Sequence, residues 1–212
     1  MVSHTRDRLG INCATPIEQF CVYTEYVIES QKQRRNGAAV ALTVLGALLR
    51  LAPHPPNFAP IGGTGLFAGS RLRAWQAYLV PLIAMVLTDP IRSWMEGGFP
   101  AYTRMTLVIY ASMLIYVFLG QTLLRKSQKP GRIATVCLLG GTQFFLITNF
   151  FVWLGPDVVY AHTFAGLIAC YTEALPFFGW TVLGDLFYTA VLTIAYLALV
   201  KRQETEAPAT QA

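Results

Sequence analysis

Charge is what this sequence has least of. Of its 212 residues, 13% are charged and 54% are apolar, whereas an ordinary soluble domain carries roughly 25% charged residues. Such a chain cannot cover a globule with water-compatible surface, which excludes the usual soluble architectures. Cysteine is scarce too. Cys13, Cys21, Cys137 and Cys170 form no CxxC pair and no metal-ligand spacing with the three histidines, so neither a disulfide framework nor a metal centre is expected. HExxH, GxSxG and a lysine-bearing phosphate loop are all missing, and no motif sets a nucleophile beside a base. No cofactor is expected, and an enzyme working from the outer membrane face ranks as a third reading only. No secretory signal is expected, because residues 1–36 are polar and mixed in charge, so the first hydrophobic helix is expected to direct insertion. The formal charge of +5 comes from short basic clusters beside apolar blocks and not from one stripe interleaved with aromatics, which excludes nucleic acid as a partner.

What is present is a series of apolar blocks. About 20 apolar residues span a hydrocarbon core, and blocks of that order fall at 37–53, 74–95, 101–124, 133–154 and 177–200, with a block of 14 residues at 57–70. The pattern predicts an all-α membrane protein, a six-helix transmembrane bundle over 37–200 whose second helix is short or broken. The first block stops at the proline run Pro53, Pro55 and Pro56, which cannot continue a helix. Residues 155–176 read as a surface loop with a short helix. The leader, 1–36, repeats Ile17, Phe20, Cys21, Val27 and Ile28 at helical spacing, as either an interfacial helix or a loosely ordered tail. Residues 201–212 read as a disordered tail.

Six crossings put both termini on one side, and the distribution of cations tests that count independently. Thirteen of the sixteen Lys and Arg residues fall on the side predicted to be cytoplasmic: Arg6, Arg8, Lys32, Arg34, Arg35, Arg71, Arg73, Arg125, Lys126, Lys129, Arg132, Lys201 and Arg202. Arg50, Arg92 and Arg104 fall on the other. The predicted location is a cell's inner membrane, crossed several times, with N- and C-termini cytoplasmic.

Polar groups that cost energy in a bilayer gather toward the outer half: Arg50, Asp89, Arg92, Glu96, Arg104, Asp157, Glu173 and Asp185, with His54 and His162. Asp185 lies about two turns inside its block, where a carboxylate costs about 2.5 to 3.5 kcal/mol. It needs a partner, for which Arg50 is the preferred candidate, or a cavity. Asp89, next to Pro90, pairs with Arg50 or Arg92, answers freed backbone donors, or contacts a ligand. The run Gly62, Gly63, Gly65 and Gly69 suits close helix packing ahead of ligand contact. Ala39, Thr43 and Ala47 form a smooth stripe for internal packing or for docking an external helix. Phe144, Phe145, Phe150, Phe151, Trp153, Tyr160, Tyr171, Phe177, Phe178 and Trp180 crowd the outer ends of the last two blocks. An interfacial belt explains part of this, whereas Gln143, Asn149, His162, Glu173 and Asp185 among them suit a pocket for a flat polar molecule.

Residues 50–61, the segment holding Pro81, Met85 and Asp89, and residues 144–153, 166–171 and 176–188 resemble a bacterial family of uncharacterised small integral membrane proteins. The likeness covers about residues 37–200. That family is similar, more remotely, to the substrate-binding S components of energy-coupling-factor transporters, through the turn Pro56-Asn57-Phe58-Ala59-Pro60, a glycine-rich second helix and an acidic residue closing the third. The resemblance implies vitamin or micronutrient capture, with the Ala39/Thr43/Ala47 stripe docking a transmembrane coupling subunit that works with ATPases.

Together these expectations describe a substrate-binding component for uptake of a small metabolite, embedded in the lipid bilayer. Asn57, Asp89, Asn149, His162, Glu173 and Asp185 would hydrogen-bond the ligand, and Trp153, Tyr160 and Trp180 would stack on it or cover it. Arg50, Asp89, Arg92 and Asp185 are the candidates for structural ion pairs. The alternative is a structural or assembly subunit of a larger membrane complex, in which the small-residue stripes bind partner helices.

Overall fold

A computed structural model describes residues 16–98, 100–156 and 159–206, with the backbone alone at 16–21 and 206. Cys13, Arg6, Arg8 and Asp157 lie outside the described residues, as does the tail from 207. The chain divides into two compact units, Met1–Gly37 and Ala38–Ala212.

Among the described residues all regular structure is helical. We number the helices α1 Pro16–Leu48, α2 Ile61–Arg71, α3 Ala74–Met95, α4 Arg104–Leu119, α5 Pro130–Trp153 and α6 Phe164–Glu206. A 3₁₀ turn, Leu49–Leu51, follows α1, and a π-helical stretch, Gly120–Leu124, extends α4. Within the first unit, 16–37 is helical, with Tyr23, Tyr26 and Ile28 exposed and Lys32 paired to Glu29 at 3.2 Å.

Local chemistry explains the ends. Residues 55–58 make a turn closed by the Phe58 N–H donating to the Pro55 carbonyl at 3.0 Å. Pro56 sets its first corner, and Asn57 takes a positive φ of 62° at the second, as the type II turn requires. Helix α3 ends in paired bonds from the Gly98 N–H to the Ser93 carbonyl and from the Gly97 N–H to the Trp94 carbonyl. Gly97, at φ 104°, makes that left-handed stop possible. Thr103 caps α4 in a reciprocal pair with Thr106.

Three expectations are corrected. The stretch 155–176, read as a surface loop, is a loop only to Thr163, and from Phe164 it is the first part of α6, which continues through Pro176. Pro176 is exposed on that helix, and a long apolar helix tolerates a proline where lipid replaces water. Helix α3 covers the expected 74–95, but it runs on through Pro90, so Asp89 is inside that helix and does not close it. The end of α6 reaches Glu206, so the chain just beyond Lys201 is helical and not disordered.

Helices α3, α4 with its extension, α5 and α6 are each long and apolar enough to cross a membrane. Only 22% to 33% of their most apolar windows is buried inside the protein. Much of the rest is exposed hydrocarbon, including Leu87, Leu107 and Ile194. Exposing it to water would cost about 25 cal/mol per Å², while lipid tails remove that cost. Helix α3 carries its own measure of thickness. Trp75 and Trp94, 65% and 79% exposed, are 19 positions apart, or about 28 Å at 1.5 Å per residue. That matches a hydrocarbon core of about 30 Å with an aromatic at each interface.

Helix α2 is different. Its 11 residues reach about 16 Å, half a bilayer, and Gly62 through Ser70 are all buried. It packs against α3, α4, α5 and α6, and Gly46 of α1 approaches its Thr64. Glycine is what lets it fit. A Cβ on Gly69 would overlap the Val117 carbonyl, and one on Gly120 would overlap the Leu66 carbonyl, so α2 and the end of α4 cross backbone to backbone. The packing use expected of the glycine run is the one seen. At the Arg71 end of α2, Arg71 donates to Gln128, Gln128 donates to Ser70 at 3.2 Å, and the Arg71 guanidinium lies over the Tyr196 ring at 4.6 Å.

The Ala39/Thr43/Ala47 stripe is also internal. Ala39 and Thr43 are fully buried and Ala47 nearly so. Ala39 packs in a cluster with Leu42, Phe67, Ala68, Leu72, Leu192 and Tyr196, so of the two uses expected of this stripe internal packing is the one seen, and its residues are not exposed to dock a partner helix.

Candidate functional site

Three elements meet around Arg50. Its guanidinium leaves the 3₁₀ turn after α1 and reaches α3, where Nη2 pairs with Asp89 Oδ1 at 2.7 Å and Nη1 donates to Thr88 Oγ1 at 3.3 Å. From α4, the Tyr110 hydroxyl donates to the other Asp89 oxygen at 2.5 Å. Arg50 is 6% exposed and Asp89 8%. Burying either charge alone would be costly, and pairing with full hydrogen bonding offsets that cost. Arg50 Nε, however, has no partner among the described residues.

A cleft of about 90 Å³ opens over this pair, lined among others by Arg92, Glu96, Ala101 and Tyr110. Arg92 Nε and Glu96 Oε1 face each other across 3.6 Å at its mouth, both about half exposed. Such a space holds several waters or a small polar group.

Asp185 is elsewhere, 2% exposed. The expected Arg50–Asp185 pair is not formed. Asp185 Oδ2 instead accepts from the Tyr116 hydroxyl at 2.5 Å, and the Gly63 backbone N–H donates to the same carboxylate. The position of Gly63 explains this. It lies in the first turn of α2, whose N-cap is Pro60 with no side-chain cap, and the first turn of any helix has orphan N–H groups. This first turn is buried within the protein, out of reach of water, so a carboxylate from α6 caps α2 from outside.

The aromatic cluster closes on itself. Trp153 Nε1 donates to the Ala161 carbonyl at 3.0 Å, the Tyr160 hydroxyl donates to Glu173 at 2.7 Å, and His162 Nε2 stands 3.3 Å from the Gly155 carbonyl. Its bond to Glu173 raises the Tyr160 phenol above its ordinary pKa. The Asn149 amide donates to the Phe145 carbonyl at 2.8 Å, back along its own helix. These bonds stitch the α5–α6 loop to its flanking helices. Trp180 and Tyr188 hold Phe58 with Phe187, and Asn57, exposed, is a turn residue. The structure thus does not gather Asn57, Asn149, Trp153, Tyr160, His162, Glu173, Trp180 and Asp185 around one space. Of the expected ligand contacts, only Asp89 lines the cleft.

Sequence reasoning missed Tyr110 and Tyr116 as partners. The signal was present in two phenols set six residues apart within a mostly apolar helix, each needing an acceptor once buried. Among the described residues no group of three His, Cys, Asp or Glu side chains could hold a metal ion.

Among the described residues the fold and site define a helical protein with four helices able to cross a membrane, ionisable groups tied inside the bundle and a polar cleft over the Arg50–Asp89 pair. Residues 30–209 match the model of a family of unknown function, DUF6580, and the chain belongs to that family. No curated protein and no solved structure matches it.

Proposed function

We propose that this protein is a multi-pass component of a bacterial inner membrane that binds a small polar solute from outside for uptake, with both termini cytoplasmic and six crossings. In this reading α1 and the short α2 complete the count begun by the four long helices. The one-sided distribution of cations supports the orientation. One observation carries the binding role. Arg50 and Asp89, ionisable and more than nine-tenths buried, are not sealed in the bundle but form the floor of an open polar cleft. A purely structural pair gains nothing from an opening to solvent, whereas a binding site requires one.

The cleft replaces the aromatic loop as the site. Any coupling subunit with its ATPases would have to dock away from the buried Ala39/Thr43/Ala47 stripe. Native mass spectrometry of gently purified protein tests the reading. The expected result is a bound small molecule that is lost from the Arg92→Ala/Glu96→Ala double variant. Stable partner subunits with no small molecule in any preparation would favour the assembly-subunit alternative.

A further inference from the structure

We infer that the cleft takes a small zwitterion, a group with a carboxylate and an ammonium only a few atoms apart. The inference rests on the solute-binding reading and specifies its ligand. The cleft carries two cations and two carboxylates, so a lone anion would meet Asp89 and Glu96 and a lone cation would meet Arg50 and Arg92. A dipolar solute can satisfy both signs at once.

The two pairs are unequal. Arg50 and Asp89 are tightly bound at 2.7 Å, supported by Tyr110 and Thr88, and form a fixed floor. Arg92 and Glu96 are 3.6 Å apart and half exposed, which leaves both free to change partners. Helix energetics do not account for Glu96. It is the C-cap of α3, where the helix dipole disfavours a negative charge. Its i, i+4 pair runs from cation to anion, the weaker order of the two. A carboxylate held at that end against the dipole fits a role toward a ligand cation, with Arg92 taking the ligand carboxylate. The roughly 90 Å³ of space suits a charged head of a few heavy atoms.

The same chemistry can come from a free amino acid or from the head of a zwitterionic phospholipid. Titration calorimetry of protein in phosphatidylglycerol nanodiscs, with glycine, acetate and methylammonium as probes, tests the class. Glycine is expected to bind at least tenfold more tightly than either single-charge probe. Arg92→Gln and Glu96→Gln, at half-exposed positions, should each weaken it about tenfold while leaving thermal unfolding unchanged. Repeating the titration with phosphatidylethanolamine in the disc separates the sources: competition identifies the headgroup, and its absence identifies the free solute. Acetate or methylammonium binding as tightly as glycine would overturn the inference, as would glycine binding indifferent to both Gln substitutions. If no zwitterion binds but native mass spectrometry finds another solute, the ligand class fails and the binding reading stands. If no solute is found at all, both fail.

Discussion

Buried ionisable side chains have to be satisfied, and this protein meets that need in two different ways. At Arg50, charge answers charge, so removing one partner leaves the other stranded. Arg50→Met is expected to lower stability by about 3 to 5 kcal/mol, whereas Arg50→Met with Asp89→Leu should recover most of that loss. Reversible unfolding in detergent, run as a double-mutant cycle, measures the difference; equal losses in the single and double variants would refute the pairing. At Asp185 the answer is a phenol and a backbone N–H. That Asp185 needs a partner was legible from one carboxylate deep in an apolar block. Which partner it takes was not, because a helix start at Ile61 supplying a free N–H depends on where the chain leaves the Pro56–Asn57 turn. Arg50 was the preferred partner among the cations expected on the outer side, and three-dimensional placement gave it to Asp89.

Among the elements, α2 organises the rest. Its glycines let the α4 backbone come close enough that a methyl group would collide with a carbonyl. Gly69→Ala and Gly120→Ala are therefore expected to destabilise the bundle by about 1 to 3 kcal/mol each. Gly131 and Gly179 have open space where a Cβ would go, so alanine there should be neutral or stabilising by up to about 1 kcal/mol. Thermal unfolding of the four variants decides it, and indistinguishable midpoints would contradict the crossing. The block 57–70 announced a short helix through its length and its glycines, and 74–95 was readable to the residue. The start of α6 was not. Pro176 reads as a breaker in any local analysis, yet it sits, exposed, inside a helix of 43 residues.

At the scale of the whole molecule, the membrane reading was legible from composition alone, since a chain with 13% charge and 54% apolar residues has no soluble surface to offer. The aromatic site was less legible. Trp153, Tyr160, His162 and Glu173 do come from one region, but they spend their hydrogen-bonding capacity on the loop itself. Residue type and proximity along the chain cannot distinguish a ligand contact from a loop tie. The cleft was hidden for the converse reason, because Arg50, Asp89 and Tyr110 lie on three separate elements and converge only after packing.

The orientation underlies every statement about what the cleft can reach. Site-directed cysteine labelling in intact cells, in a background without native cysteines, tests it most directly. Ala101→Cys, beside the cleft, should react with an impermeant maleimide from outside, while Lys129→Cys and Arg202→Cys should react only after the membrane is opened. Labelling of Lys129→Cys and Arg202→Cys from opposite sides, or of Ala101→Cys only from within, would contradict the account.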